Sequence, residues 1–277
     1  MDVWFHDSEQ LAEAARAWNL DFRQVERGTF AGHLLQIVGP DVSLAYARFT
    51  RSLDQRGAPP PGLRTFVVPA HREVTFHWRG HTIRGDQLLI FPRDGELESF
   101  SGPDFEVHTI SVSEAGLERA AERLGVASVE PRLRSREVLD LPAAVADRMR
   151  LAVQRHYSGW SPDSAAGLSE MLVACVQSTE AGRAGDARGR LLSRARAELR
   201  LGASRPWSVA EWAERIDVHE RTLQRAFRDL GPVSPKTYLL ALRLNEVRRQ
   251  LRARPDLGVG EAARSHGFWH MGQFAAE

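Results

Sequence analysis

The stretch that decides the fold runs Trp207-Ser208-Val209-Ala210-Glu211-Trp212-Ala213-Glu214-Arg215-Ile216-Asp217-Val218-His219-Glu220-Arg221-Thr222-Leu223-Gln224-Arg225-Ala226-Phe227-Arg228. Ser208 and Glu211 have the spacing of a capping box, in which each side chain satisfies a free backbone N–H of the other's residue. Val209, Trp212, Ala213 and Ile216 then form an apolar stripe at helical spacing. Asp217-Val218 makes a tight turn, and a second helix is expected from Glu220 to Asp229. At about 100° per residue, Arg221, Gln224, Arg225 and Arg228 share one sector of it. Leu223, Ala226, Phe227 and Leu230 share the opposite one. One face can anchor in a core while the other offers guanidinium and amide groups, which match guanine and adenine edges in a DNA groove. The competing reading is a solvated arginine-rich face. The capped helix and short turn just upstream argue against it.

The arrangement recurs downstream. Ser234-Pro235 opens a long helix to about Arg252, with serine as cap and proline in the first turn. Its length of about 27 Å suits a separator between two DNA-reading units. Val259, Glu261 and Ala263 repeat Val209, Glu211 and Ala213, Gly267-Phe268 makes another turn, and a second recognition helix begins near His270.

With these residues in view, 190–277 resembles the DNA-binding domain of AraC/XylS-type transcription regulators. The resemblance rests on Ser208–Ala213, Thr222–Phe227, Val233-Ser234-Pro235-Lys236-Thr237-Tyr238, Leu242-Arg243-Leu244 and Gly267-Phe268. It implies a seven-helix domain whose two recognition helices enter successive major grooves. By position it makes Arg221, Gln224 and Arg225 the base readers, with backbone contacts from Arg228, Ser208, Lys236 and His270. The departures are His219 at a usual capping position, Pro232 in place of glycine, and Met271, Gly272, Ala275 and Ala276 at the second unit's reader positions. Backbone contact or indirect readout is therefore expected to dominate in the second unit. The sequence ends at Glu277 inside that helix, so either the domain is truncated or its end is unusual, and part of the second unit's core is expected to be missing.

Outward from this region, the charge changes sign. From Arg190 onward there are 16 basic and 10 acidic residues, against 21 and 26 upstream. A basic tail facing a polyanion is one reading; solvated arginines are the other. The break coincides with 181–189, glycine-rich and without periodicity, which reads as a linker. Residues 1–180 are then a separate effector-sensing or dimerisation domain. Its 20–112 segment has short apolar runs at 31–38, 42–50, 63–68, 74–78, 81–83, 87–91, 96–100 and 106–112, as in a sandwich or small barrel. Helices are expected from Ser8 to Arg16, over 114–124 between Ser113 and Gly125, over 142–157 from Pro142, and after Asp163. The last two either pack on the β-domain or form a dimerisation surface. The fold class is α+β: a cupin-like front with flanking helices and an all-α tandem helix-turn-helix tail.

Catalytic patterns are few. His71, His77 and His81 suggest a cupin metal site, but the paired His-x-His is absent, so hydrogen-bonded histidines are preferred and no metal or other cofactor is expected. Cys175, the single cysteine, reads as a buried thiol. Trp18, Phe22-Arg23-Gln24, Gly28, Phe30, Gly32, Gln55-Arg56-Gly57, Pro61-Gly62 and Phe105 resemble the sensor region of the subgroup related to ethanolamine-utilisation regulators. The expectation is a non-enzymatic, cytoplasmic regulator with promoter DNA, a small-molecule effector, RNA polymerase and a second copy of the chain as partners, and no membrane. A cupin-like metalloenzyme with a DNA-binding tail and an architectural protein without an effector are the alternatives.

Overall fold

The computed structural model describes residues 1–15, 18–93, 96–179, 185–201, 207–228 and 233–276. The front carries β1 (Asp2–Phe5), α1 (Ser8–Ala14), β2 (Asn19–Gln24), β3 (Gly32–Val38), β4 (Val42–Phe49), β5 (Leu53–Ala58) and β6 (Leu63–Pro69). It continues through β7 (Phe76–Trp78), β8 (His81–Ile83), β9 (Gln87–Ile90), β10 (Leu97–Ser101), β11 (Phe105–Ser113), α2 (Glu114–Arg123), α3 (Glu130–Ser135), β12 (Val138–Asp140), α4 (Ala143–Ser158) and α5 (Pro162–Ser178). The tail is helical: α6 (Ala187–Leu201), α7 (Val209–Arg215), α8 (Glu220–Arg228), α9 (Pro235–Ala253), α10 (Val259–Ser265) and α11 (Met271–Ala276).

The strands form a seven-stranded sheet, in the order β1-β3-β4-β11-β6-β9-β12, and a five-stranded sheet, in the order β2-β5-β10-β7-β8. Because side chains alternate along a strand, each sheet has two different jobs. The inner faces meet over a core that includes Phe22, Leu34, Phe49, Phe76, Trp78 and Val107. The outer face of the larger sheet, including Leu44, Phe66, Val68, Ile90 and Ile110, packs against α2, α4 and α5 through Leu117, Met149, Val153, Leu168 and Leu172. The outer face of the smaller sheet meets the helical tail, where Val25 and Phe100 join a core of Leu192, Trp212, Phe227 and Tyr238. A β-rich front and a helical tail are thus both present, as the sequence indicates. The two post-β helices pack on the β-domain.

Local signals hold with small shifts. Ser113 caps α2, accepting from the Gly116 N–H at 2.9 Å, and Gly125 follows the helix at φ +67°. The cap of α1 is Asp7 rather than Ser8: its carboxylate accepts from the Glu9 N–H at 2.8 Å, and Ser8 is the first helical residue. The expected end at Arg16 lies outside the described residues. Pro142 is the cap of α4 rather than its first residue, and Ser161 opens α5 with a capping box ahead of Asp163.

Of the stretch read as a linker, 181–184 lie outside the described residues and α6 already begins at Ala187. A Cβ on either Gly185 or Gly189 would fall 2.3 Å from the carbonyl oxygen of Gly80. These glycines let the start of α6 abut the β7–β8 turn. Asp186 fixes the junction, accepting from the Gly189 N–H at 2.6 Å and from the Thr82 hydroxyl at 2.8 Å.

Candidate nucleic-acid interface

The first helix-turn-helix unit is built as its sequence dictates. Ser208 Oγ accepts from the Glu211 N–H at 3.1 Å, and Glu211 Oε2 accepts from the Ser208 N–H at 2.9 Å. Asp217 takes φ +53° in the turn. Trp212 is fully buried and donates its indole N–H to the Ala195 carbonyl of α6 at 2.9 Å, stacked on Tyr238 and edge-on to Phe227. With Leu223, Ala226 and Phe227 buried, Arg221, Gln224, Arg225 and Arg228 are all exposed on the opposite face of α8. Among the described residues none of these four side chains has an ion pair or hydrogen bond, so each keeps its donors for a partner.

The other expected contacts are dispersed. Lys236 is exposed in the first turn of α9, and His270 is exposed just before α11. Ser208 is exposed, but its hydroxyl is engaged in the cap and also donates to Glu211 Oε2 at 2.8 Å. His219 is exposed, and its backbone carbonyl accepts from the Leu223 N–H at 3.2 Å. Gly272 and Ala275 are exposed and Met271 packs on the second core; the Ala276 side chain and Pro232 lie outside the described residues. The second core is small: Val247, Leu257, Ala262, Ala263 and Phe268, with Phe274 edge-on to Phe268 at 5.1 Å between ring centres. Sequence reasoning passed over Trp269, which is 75% exposed beside His270. The available signal was an aromatic residue at the turn immediately ahead of a recognition helix.

Much of the tail's basic excess is engaged inside the molecule. Arg249 pairs with Asp21, and both Arg248 and Arg252 reach Asp7 and Glu9 of the α1 start. Arg23 meets Glu246 at 3.1 Å, and Asn245 donates to the Gln24 carbonyl at 2.9 Å. The separator helix α9 is therefore buttoned onto α1 and β2. Arg196 of α6 binds the Asp54 carboxylate and donates to the Ser99 carbonyl at 2.7 Å, while Tyr238 donates to the other Asp54 oxygen at 2.5 Å. Burial pushes the Asp54 carboxyl up, but the charges of Arg196 and Arg56 and the Tyr238 hydrogen bond hold it below the ordinary aspartate value. Burial pushes the Tyr238 phenol up, and the facing carboxylate adds to the rise. The charge asymmetry read as a sign of a polyanionic partner is thus shared with an interface between front and tail.

Strand register separates this interface from the inter-sheet space. Phe22, Gln55, Ser99 and Trp78 lie directly opposite one another across β2, β5, β10 and β7, facing inward. One residue along, Arg23, Asp54, Phe100 and His77 face the tail. Between the sheets is a cavity of about 90 Å³, walled by Leu11, Trp18, Phe49, Phe91, Phe105 and other apolar residues, with Gln36, Gln55, Ser99 and Thr109 the polar members.

The three histidines weighed as metal ligands do not converge: exposed His71 and buried His77 border one groove, and His81 faces the other way. His77 and His81 lie on adjacent strands with opposite faces, since His77 pairs with Thr82 and His81 with Trp78. His77 is buried beside the interface, which lowers its pKa to about 4, while His81 sits 3.8 Å from Glu137. Among the described residues no group of three or more His, Cys, Asp or Glu is placed to hold a metal. Cys175 is buried in α5, and burial raises its pKa.

The tail is a helix-turn-helix module, and residues 212–277 match the family described as a helix-turn-helix domain. Over 81 residues the chain is 37% identical to the "Probable thc operon regulatory protein" of Rhodococcus erythropolis, a match that spans 28% of this chain and 24% of that protein. Among solved structures, the AraC-like transcriptional activator CuxR superposes at a TM-score of 0.49 with 12% identity, over 92% of this chain and 95% of that one. ToxT from Vibrio cholerae, solved with an unsaturated fatty acid bound, gives 0.30 and 11%, over 94% and 88%. No helix among the described residues is long and apolar enough to cross a membrane.

Proposed function

We propose that this chain is a sequence-specific DNA-binding transcription regulator of the AraC/XylS type, with Arg221, Gln224 and Arg225 as base readers. The observation that carries the reading is the exposed polar face of α8, unpaired among the described residues, set against its buried apolar face. Arginine and glutamine can each make two parallel hydrogen bonds to a purine edge. Arg228, Lys236 and His270 serve the phosphate backbone, and Ser208, expected there too, reaches a phosphate only by giving up its donors to Glu211. The second unit, without an arginine among Met271, Gly272 and Ala275, positions the protein more than it reads sequence.

The front part is the sensor. An effector between the sheets bears on α1 and β2, which wall the cavity and also hold α9, so occupancy shifts the balance between arrangements of front and tail. The likeness of Gln55-Arg56-Gly57 and its neighbours to the ethanolamine-related subgroup belongs to this proposal. So do action on promoters with RNA polymerase, self-association and a cytoplasmic setting. No enzymatic role is part of this reading.

Selection of duplexes from a random library by the full chain tests the reading. A shared motif should emerge and be lost with Arg221, Gln224 and Arg225 replaced together by alanine. Equal retention of all duplexes by the unaltered chain would sink it.

A further inference from the structure

The inter-sheet cavity has a definite chemistry. Among the described residues none that walls it is charged. A buried ion without a counter-charge costs several kcal/mol, so an ionised ligand has nothing to hold it there. Two residues of the wall carry a polar atom with no hydrogen-bond partner among the described residues: the Ser99 hydroxyl and the Trp78 indole N–H, in residues 2% and 1% exposed. They belong to directly opposed residues of neighbouring strands. The nearby amide of Gln55 is already engaged, donating to the Ser101 hydroxyl at 3.0 Å. Buried polar groups are normally satisfied, and each orphan costs about 1–3 kcal/mol. An indole N–H can only donate, and a serine hydroxyl can donate. The missing partner is therefore an acceptor.

We propose that the cavity takes an uncharged, mainly apolar molecule of about one ring, carrying one hydrogen-bond acceptor that meets Ser99 and Trp78. The proposal rests on the sensor reading above and adds the class of ligand. Size follows from the volume of about 90 Å³. A hollow of roughly 150 Å³ accepts benzene, so a single ring enters only as the wall yields well beyond its resting volume.

The test is calorimetric titration and thermal melting of the full chain with anisole, its near-isostere ethylbenzene, benzoate and benzylammonium. Anisole should bind about three- to tenfold tighter than ethylbenzene, the range expected of one net hydrogen bond. Neither charged probe should raise the Tm. A Ser99→Ala/Trp78→Phe double variant should erase the anisole preference and still bind ethylbenzene. Ala47→Leu, which puts methyl groups into the cavity, should abolish both; Ala45→Val serves where Ala47→Leu does not fold. Binding of benzoate or benzylammonium that Ala47→Leu abolishes overturns the class and leaves the sensor reading intact. Anisole binding that survives both filling variants, or equal affinity for anisole and ethylbenzene, also overturns it. Absence of any Tm shift from all four probes, with Ala47→Leu itself more stable, makes the cavity a packing void and removes the sensor reading as well.

Discussion

The phenol of Tyr238 donates a 2.5 Å hydrogen bond to the carboxylate of Asp54, joining residues 184 positions apart across the seam between sheet and helices. Tyr238 is at once a core residue of the first helix-turn-helix unit, against Trp212 and Phe227, and the donor that docks this unit on the front. Tyr238→Phe should cost about 1.5–3 kcal/mol, the range for a hydrogen bond to a charged group. Asp54→Leu should cost more, about 3–5 kcal/mol, because it leaves the buried Arg196 guanidinium with only the more distant Glu98 as counter-charge. Asp54→Leu with Arg196→Met should recover part of that loss. Urea unfolding measures all three, and an Asp54→Leu cost no larger than that of Tyr238→Phe would contradict the ranking.

On α8, Arg225→Ala should relax preference at one or two adjacent base pairs, at about 1–3 kcal/mol of discrimination. Arg228→Ala should weaken all duplexes alike and reduce the salt slope by about one. Titrations against matched and scrambled duplexes at several salt concentrations separate the two. Uniform weakening by Arg225→Ala would reduce α8 to a phosphate contact.

Acid should loosen the protein above the range where carboxylates titrate. Burial lowers the pKa values of His77 and His108 from 6.5 to about 4. The unfolded chain then binds more protons than the folded one between these values, so stability falls as pH drops from about 6.5 to about 4. Each histidine contributes a slope of about 1.4 kcal/mol per pH unit inside that window. His77→Gln should remove its own share and leave the His108 share, read from urea unfolding across the window. An unchanged slope would mean that His77 is solvated. Below this window Asp54, held under its ordinary value, loses its contribution as it protonates.

Salt should separate the rim of the interface from its centre. The pairs of Arg248, Arg249 and Arg252 are partly exposed, whereas Arg196 and Asp54 are buried. At 1 M salt the screening length is about 3 Å, which suppresses the exposed pairs. The radius of gyration from small-angle scattering should then change little for the unaltered chain and increase clearly for Asp54→Asn. Expansion of the unaltered chain to the same extent would show the exposed pairs to be the main fastening.

The tail was legible because its signals are local. Ser208 and Glu211 lie three residues apart, and the two faces of α8 can be read from a helical wheel. The strands with apolar runs, such as 63–68 and 106–112, were legible for the same reason. β5 was missed because Asp54 and Arg56 stand where an inner-strand pattern would place apolar residues. They face the tail, so their partners Arg196 and Tyr238 are remote in sequence. The internal partners of the α9 arginines were not legible because nothing local marks Asp7, Glu9 and Asp21. Gly185 and Gly189 suggested looseness, whereas they permit a close backbone approach. Gly57 is similar: at φ +150°, its added Cβ would lie 2.0 Å from the Asn19 carbonyl oxygen, which accounts for glycine there.

The shared core of Val25, Phe100, Trp212 and Tyr238 bears on how such a molecule can be recombined. A chimera that grafts this front onto a foreign tail inherits at Asp54 a buried carboxylate left to Arg56 alone and a bare Phe100, even when the graft point falls neatly in 181–189. A compatible recipient would have to bring its own arginine and tyrosine to the positions of Arg196 and Tyr238. Exchange of the two halves between paralogues is accordingly confined to pairs that already carry this triad, and a search for natural donors can begin with those three residues.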